Sequence, residues 1–408
     1  MDDKLRIGVT GNFDSKIRGD CKVQIKLLHS GGIALDLHSK VKAFFSKSIT
    51  DLVMDMTDYF SIKHAKVTIW DSGALKYVIA ARIEASIKQI IVTDKEFLFK
   101  PIDECAEISK RDRFRFSRLY LPGNTPYLMI NAGLHKPNGL ILDLEDAVSP
   151  VKKEEARYIV RNTLRSQKFY GAERMVRINQ GELGLVDLEF IVAHCVQLIL
   201  IPKCETVDDI QQIDQKINQI KKDKSIDREI YLMPIIESAL GIENAFAIAN
   251  SSENIVAMAI GLEDFTADIG VQRTINAQES LYARMRIVNA CHAANIQAID
   301  SVFSNVADMD ALANNVITSK SIGFQGMGCI HPRQIRVIHE NFAPDELEIE
   351  KAMKIVSAFY KAQEKGMNVV ALGNKMIDPP VVKRQLKLLD LAIGLEIVNA
   401  NWRESYDC

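Results

Sequence analysis

Charged side chains recur at the ends of short apolar runs along this chain. Residues 139–148, Gly-Leu-Ile-Leu-Asp-Leu-Glu-Asp-Ala-Val, close one such run with Asp143, Glu145 and Asp146. Further along stand Arg177 with Asn179, Lys203 with Glu205, then Glu237, Glu263 with Asp264, Asp300, and His331 before Pro332. Carboxylates crowded together need a cation or hydrogen-bond donors, because like charges raise one another's pKa. Taken alone, the first cluster fits a helix N-terminus equally well, since the helix dipole favours acids there. Carboxylates beside an arginine and a lysine suit an anionic substrate held by a hard divalent cation. Magnesium fits, because it takes oxygen ligands, often from one or two carboxylates, and leaves room for water and substrate. The seven cysteines form no Cys-x-x-Cys pair and no Cys/His pair recurs at ligand spacing, which disfavours zinc. His331 either acts as a base or hydrogen-bonds its own loop.

Such residues meet only if the chain brings the run ends together. Apolar runs at 116–120, 139–144, 174–178, 197–201, 230–236, 256–261, 296–299 and 326–330 read as buried parallel strands. Helical spacing fills the intervals 151–166, 205–220, 240–250, 276–294 and 308–320. Eight strands alternating with helices predict a (β/α)₈ TIM barrel, with the charged residues gathered at its C-terminal rim. An open doubly wound sheet is the rival, but no Gly-x-Gly-x-x-Gly follows any strand.

The first hundred residues follow a different plan. Alternation in Lys22–Leu27 and Ile33–Leu37 predicts half-buried strands, and Ala65–Trp70 a third. Residues 41–60 show helical spacing, with Val41, Phe44, Phe45, Ile49, Leu52, Val53, Met56 and Phe60 on one face, and a second helix runs from Ala74 to about Ile91. This is a small α+β module, followed by a polar stretch. Its one sharp feature is the turn Gly11-Asn-Phe-Asp-Ser15-Lys, and most such serines are plain turn residues. Trp70 and Trp402 lie far from the rim motifs and read as packing residues.

With 51 basic against 53 acidic residues in 408, the net charge of −2 and the lack of a basic block offer nothing to nucleic acid. No apolar run reaches the ~18 residues of a membrane span. The N-terminus lacks a signal-peptide core, so the chain reads as cytoplasmic, with reduced thiols.

Two resemblances sharpen this reading. Residues 9–90 resemble the acyl carrier (gamma) subunit of bacterial citrate lyase, through Gly11–Ser15, Ile33-Ala-Leu-Asp-Leu37 and Asp71-Ser-Gly-Ala-Leu75 with Ala81-Arg-Ile-Glu-Ala85. Residues 113–345 resemble the citrate lyase beta subunit (citryl-ACP lyase), within the HpcH/HpaI aldolase/citrate lyase superfamily. Its motifs include Ser117-Arg-Leu-Tyr-Leu-Pro-Gly-Asn124, Leu142-Asp-Leu-Glu-Asp-Ala-Val148, Val176-Arg-Ile-Asn179 and Ile201-Pro-Lys-Cys-Glu205. They continue with Ile236-Glu-Ser-Ala-Leu-Gly241, Ile260-Gly-Leu-Glu-Asp264, Tyr282-Ala-Arg284 and Ile330-His-Pro-Arg-Gln-Ile335. The organisation implied is a carrier-like domain over 1–95, a linker over 96–112, the barrel over 113–345 and a C-terminal helical extension over 346–408.

The resemblance implies magnesium held by Glu237 and Asp264, with Glu145 and Asp146 holding its waters or nearby loops. Arg177 would contact the oxo or hydroxy end of the substrate, and Gly261, Glu263 and Asp264 would border it. Asp143, inside its strand, reads as structural. Met376-Ile-Asp-Pro379 resembles a loop that enters a neighbouring subunit's site, which makes Asp378 a candidate acid/base and implies a trimer; otherwise Asp378 simply caps a helix. Ser15 matches the serine that carries a covalent phosphoribosyl-dephospho-coenzyme A arm. The expected reaction is retro-Claisen cleavage of a citryl thioester to oxaloacetate and an acetyl thioester, with a separate alpha (transferase) subunit as a possible partner. The rivals are a lyase for citramalyl- or malyl-coenzyme A, and a non-catalytic carrier or scaffold subunit.

Overall fold

The computed structural model describes residues 6–403 except 15, 275, 365, 368, 373 and 374. The chain divides into two units, residues 1–335 and 336–408.

The first unit opens with β1 (Ile7–Gly11), β2 (Cys21–Leu27), β3 (Ile33–Ser39), α1 (Lys42–Tyr59), β4 (Ala65–Asp71) and α2 (Lys76–Lys88). The strands order as β1-β2-β4-β3, antiparallel except for the β3–β4 pair. Alternation turns Val23 and Ile25 of β2 inward, into one cluster with Ile49, Leu52, Val53 and Met56 of α1 and Ile79, Ile83 and Ile87 of α2. The helix expected over 41–60 forms, but its aromatic start stays outside: Phe44 is 86% exposed and Phe45 54%. Phe45 continues the apolar stripe, so the first turn of α1 runs past whatever the later turns pack against.

The barrel follows in β5 (Ser117–Pro122), α3 (Pro126–Met129), β6 (Gly139–Asp143), α4 (Lys153–Ser166), β7 (Glu173–Arg177) and α5 (Gly181–Ile191). It continues through β8 (Leu198–Ile201), α6 (Val207–Asp223), β9 (Tyr231–Ile236), α7 (Ala239–Ala249), β10 (Ala257–Ile260), α8 (Leu262–Asp268) and α9 (Leu281–Ala293). The last elements are β11 (Gln297–Ile299), α10 (Met309–Ile322), β12 (Met327–Cys329) and α11 (Pro332–Phe342). All eight strands are parallel; β12 pairs with β5, and a bridge between Asp300 and Met327 completes the ring. The expected (β/α)₈ barrel is therefore the fold, filled by Ile141, Met175, Leu198, Leu200, Met233 and Ile235. The first strand departs from pattern: a single turn, α3, replaces its helix, and α2 covers part of the gap. Residues 77–87 of α2 are all buried, the mark of a helix packed on more than one side.

That second side faces α4 through ion pairs. Arg161 meets Glu84 at 2.6 Å with both side chains fully buried, and Arg82 bridges Asp20 at 2.9 Å and Glu155 at 3.3 Å. Glu155 also accepts from the backbone N–H of Gly11 at 2.8 Å, and Lys152 donates to the Gly11 carbonyl at 3.2 Å. The polar stretch 94–112 is fastened as well. Arg165 donates to the Phe99 carbonyl at 2.6 Å, Ile102 N–H to the Arg165 carbonyl at 3.0 Å, and Glu104 pairs with Arg174 at 3.2 Å.

The second unit holds α12 (Glu346–Gln363), β13 (Val370–Leu372), β14 (Lys375–Ile377) and α13 (Pro379–Gly394). Its own core gathers Ile349, Phe359, Leu389 and Trp402, so Trp402 is a packing residue as expected. Among the described residues no helix is long and apolar enough to cross a membrane.

Candidate active site

Parallel strands deliver their C-terminal residues to one rim, and here the rim surrounds a cavity of about 370 Å³. Arg118, Tyr120, Asp143, Asp146, Arg177, Glu237, Gly261, Glu263, Asp264 and Asp300 are in its wall. Residues far apart in sequence thus meet as the strand-end pattern required.

Arg177 ends β7 and is the most heavily engaged cation. Its Nε and Nη2 donate in parallel to the two oxygens of Asp143, each at 2.7 Å. Its Nη1 lies 2.8 Å from Glu145 and 3.5 Å from Asp146, and the guanidinium sits 5.3 Å from the centre of the Tyr120 ring. Burial works against the charge, but the paired Asp143 more than offsets it and holds the Arg177 pKa well above its ordinary value. Asp143 also accepts from the N–H groups of Glu145 at 3.0 Å and Ala147 at 3.2 Å. It shapes the turn and orients the arginine, the structural role its position inside the strand suggested.

Glu145 sits behind the cavity wall and joins two cations. Besides Arg177 it holds Lys203 at 3.0 Å and accepts from Gln180 at 3.1 Å. Lys203 reaches Asp146 at 3.5 Å and Asp264 at 3.9 Å. The sequence marked Lys203 as a rim charge without giving it a task; its task is to tie the loops after β6, β8 and β10 together. It does so with φ of +47°, a left-handed conformation that is uncommon for lysine.

Glu237, just past β9, is only 5% exposed, and its Oε2 has no hydrogen-bond partner. Burial, and then the nearby Asp264, push its pKa up to about 8. An orphaned buried carboxylate oxygen beside a second carboxylate is a geometry that a cation would complete. Gly261 keeps the space open, since a Cβ there would fall 2.6 Å from Glu237 Oε1. Among the described residues no three His, Cys, Asp or Glu side chains group to hold a metal. Glu237 and Asp264 would supply two ligands, leaving the rest to water and substrate, which suits magnesium.

The remaining candidates fall in different places. Glu263 borders the cavity, but its carboxylate is taken by Arg273 at 2.6 Å. Asp300 is paired with Arg284 and Ser319 beneath the rim. His331 Nδ1 accepts from the N–H of Arg333 at 3.1 Å, a hydrogen bond within its own loop. Asp378 belongs to the second unit, where it caps α13 and accepts from Val381 N–H at 3.1 Å. Ser15 lies outside the described residues. Arg118 stands in the Ser117–Asn124 motif but was given no role, because one arginine in an apolar strand does not reveal from sequence what surrounds it.

Comparisons with known proteins bear on the family and the fold. The HpcH/HpaI aldolase/citrate lyase family model matches residues 117–332. An acyl carrier model described as malonate decarboxylase delta subunit (MdcD) matches residues 8–90. Citrate lyase subunit beta of Haemophilus influenzae is 35% identical over 285 residues, 69% of this chain and 97% of that one. Mitochondrial citramalyl-CoA lyase of Rattus norvegicus is 32% identical over 290 residues, 68% of this chain and 86% of that one. A crystal structure of CitE from Mycobacterium tuberculosis, in complex with magnesium, acetoacetate and coenzyme A, superposes with a TM-score of 0.58 at 24% identity, over 69% of this chain and 99% of that one. At that identity the superposition speaks for the fold alone. The chain belongs to the HpcH/HpaI aldolase/citrate lyase family, as a lyase with an acyl-carrier-like module ahead of its barrel.

Proposed function

We propose that the chain is a magnesium-dependent carbon–carbon lyase that cleaves a citryl thioester to oxaloacetate and an acetyl thioester. The partnerless Glu237 oxygen beside Asp264, facing a cavity walled by Arg177, carries the reading. Its kinship with citrate lyase beta subunits supports it. Glu237 and Asp264 would hold the ion, which when bound acts as a Lewis acid toward substrate oxygens.

The chain's own groups perform the rest. Arg177, aimed by Asp143, neutralises charge on the oxo-acid side of the breaking bond. Glu145, Asp146 and Lys203 hold the loops that frame that arginine, and the Gly261–Asp264 turn borders the substrate. In the cleavage the substrate hydroxyl loses its proton and becomes the carbonyl of oxaloacetate. The bond to the acetyl methylene breaks, and its electron pair passes to the thioester as an enolate. A proton delivered to the enolate carbon completes the acetyl thioester. Asp378 from a neighbouring copy in a trimer is our candidate donor. Ser15 is the proposed attachment point of a phosphoribosyl-dephospho-coenzyme A arm, loaded with help from a transferase subunit. The similarity to citramalyl-CoA lyase supports a second reading, with a coenzyme A thioester as substrate and no arm.

Purified protein given citryl-CoA and magnesium should release oxaloacetate, followed by coupled NADH oxidation. The double variant Glu237→Ala/Asp264→Ala should lose at least about 10²–10³-fold, the scale of removing a principal electrostatic group. Wild-type rates in that variant would refute the metal assignment, and no oxaloacetate from the wild type would refute the citryl reading.

A further inference from the structure

A second arginine enters the same cavity from the barrel interior. On β5 the alternation that sends Tyr120 inward also sends Arg118 inward, one pleat deeper. Its ladder neighbours are both glycines, Gly139 on β6 and Gly328 on β12, so neither flanking strand offers it a side chain at that level. Across the barrel, Nη1 rests 2.9 Å from the thioether sulfur of Met233, and Nε has no partner at all. Among the described residues no carboxylate pairs with it. Arg118 is 1% exposed, and although burial lowers its pKa to about 10, it stays charged at neutral pH.

The contrast with Arg177 is sharp. That arginine is paired with three carboxylates of the protein, whereas Arg118 meets the sulfur of Met233 and lines the cavity. An unpaired buried cation is strongly unfavourable, and an apolar residue of similar volume would be more stable there. Such a charge makes sense where a ligand brings the counter-ion.

We infer that Arg118 receives a carboxylate on the oxo-acid half of the substrate, and so selects the acyl group; this rests on the lyase reading above. The candidate thioesters differ in one substituent of the carbinol carbon. A citryl group carries –CH₂COO⁻ and yields oxaloacetate, citramalyl carries –CH₃ and yields pyruvate, and malyl carries –H and yields glyoxylate. All three keep the carboxylate on the carbinol carbon, which the proposed metal site would take; only the citryl group adds a second one for a guanidinium at the cavity floor, where a paired, desolvated contact is strongest. Arg118 therefore favours citryl thioesters and penalises the other two by leaving its own charge unmatched.

The test compares wild type, Arg118→Met and Arg118→Lys in two readouts. Calorimetry with magnesium should show wild type binding oxaloacetate at least tenfold tighter than pyruvate. Arg118→Met should erase that ratio with a melting temperature at or above wild type, and Arg118→Lys should keep part of it. In turnover, the citryl-CoA to citramalyl-CoA preference should fall in the same order. Equal binding of the two oxo acids by wild type, an unchanged ratio in Arg118→Met, or a lowered melting temperature in that variant would overturn the assignment. Selective oxaloacetate binding without cleavage of either thioester would instead sink the lyase reading and leave Arg118 as the anion site.

Discussion

Glu237 is where burial and like charge act on a single group. With its pKa raised to about 8 by burial and Asp264, the carboxyl is mostly protonated at neutral pH in the metal-free protein. The folded state then holds a proton that the unfolded chain releases near the ordinary carboxylate range. This group's stabilising share is present below that range and is lost as pH rises through about 8. A cation must displace the proton. Magnesium added at pH 7 should therefore release close to one proton per chain, and its affinity should climb with pH until about 8 and then level. Titration calorimetry in buffers of different ionisation enthalpy measures the count. No proton release, or an equal release from Glu237→Gln, would remove Glu237 as the ligand. The residue types of this site were legible in sequence because strand ends concentrate charge. The orphaned oxygen of Glu237, the triple pairing of Arg177 and the lone Arg118 were not, since each depends on neighbours brought in from other strands.

At the scale of elements, the joint between β10 and α8 decides whether the two proposed ligands can approach. Gly261 makes this joint, and a Cβ there would sit 2.6 Å from both Cγ and Oε1 of Glu237. Gly261→Ala should push the Glu237 side chain aside and weaken magnesium binding by about 10–100-fold, the range seen when support around metal ligands is removed. Its far-ultraviolet circular dichroism should match wild type. Unchanged magnesium affinity in a folded Gly261→Ala protein would show that the close approach does not matter. All eight barrel strands were readable from apolar runs, because a strand buried on both faces admits little else. The α5 helix escaped, since its apolar residues Leu183, Leu185 and Val186 do not keep to one buried face; Leu183 and Val186 are exposed. The aromatic start of α1 misled in the opposite sense: periodicity says which residues share a face, and only tertiary structure says how far along the helix that face is covered.

Across the whole first unit, the carrier-like module behaves as a docked part rather than a swinging one. The sequence suggested a linker over 96–112 between the module and the barrel. Ion pairs are invisible in sequence when their partners lie ~70 or more positions apart, as Glu84 and Arg161 do. In the structure, Arg82, Asp20, Glu155, Glu84 and Arg161 form the buried seam between α2 and α4. Phe97 and Phe99, beyond the exposed Val92, pack back into the module's own core. The seam also holds Gly11, at the head of the turn that leads to Ser15, against the start of α4. That end of α4 follows the loop bearing Asp143, Glu145 and Asp146, so Gly11 is held on the barrel face that carries the cavity. A protease site inserted after Val92 and cut in the folded protein should leave both fragments eluting together on size exclusion, because the seam and not the tether holds them. Combined with Arg82→Met, which strands Asp20 and leaves Glu155 with Lys152 alone, the same cut should release the module, since breaking a buried pair costs about 3–5 kcal/mol. Separation of the fragments after the cut alone would mean that the module moves freely and that the seam is incidental.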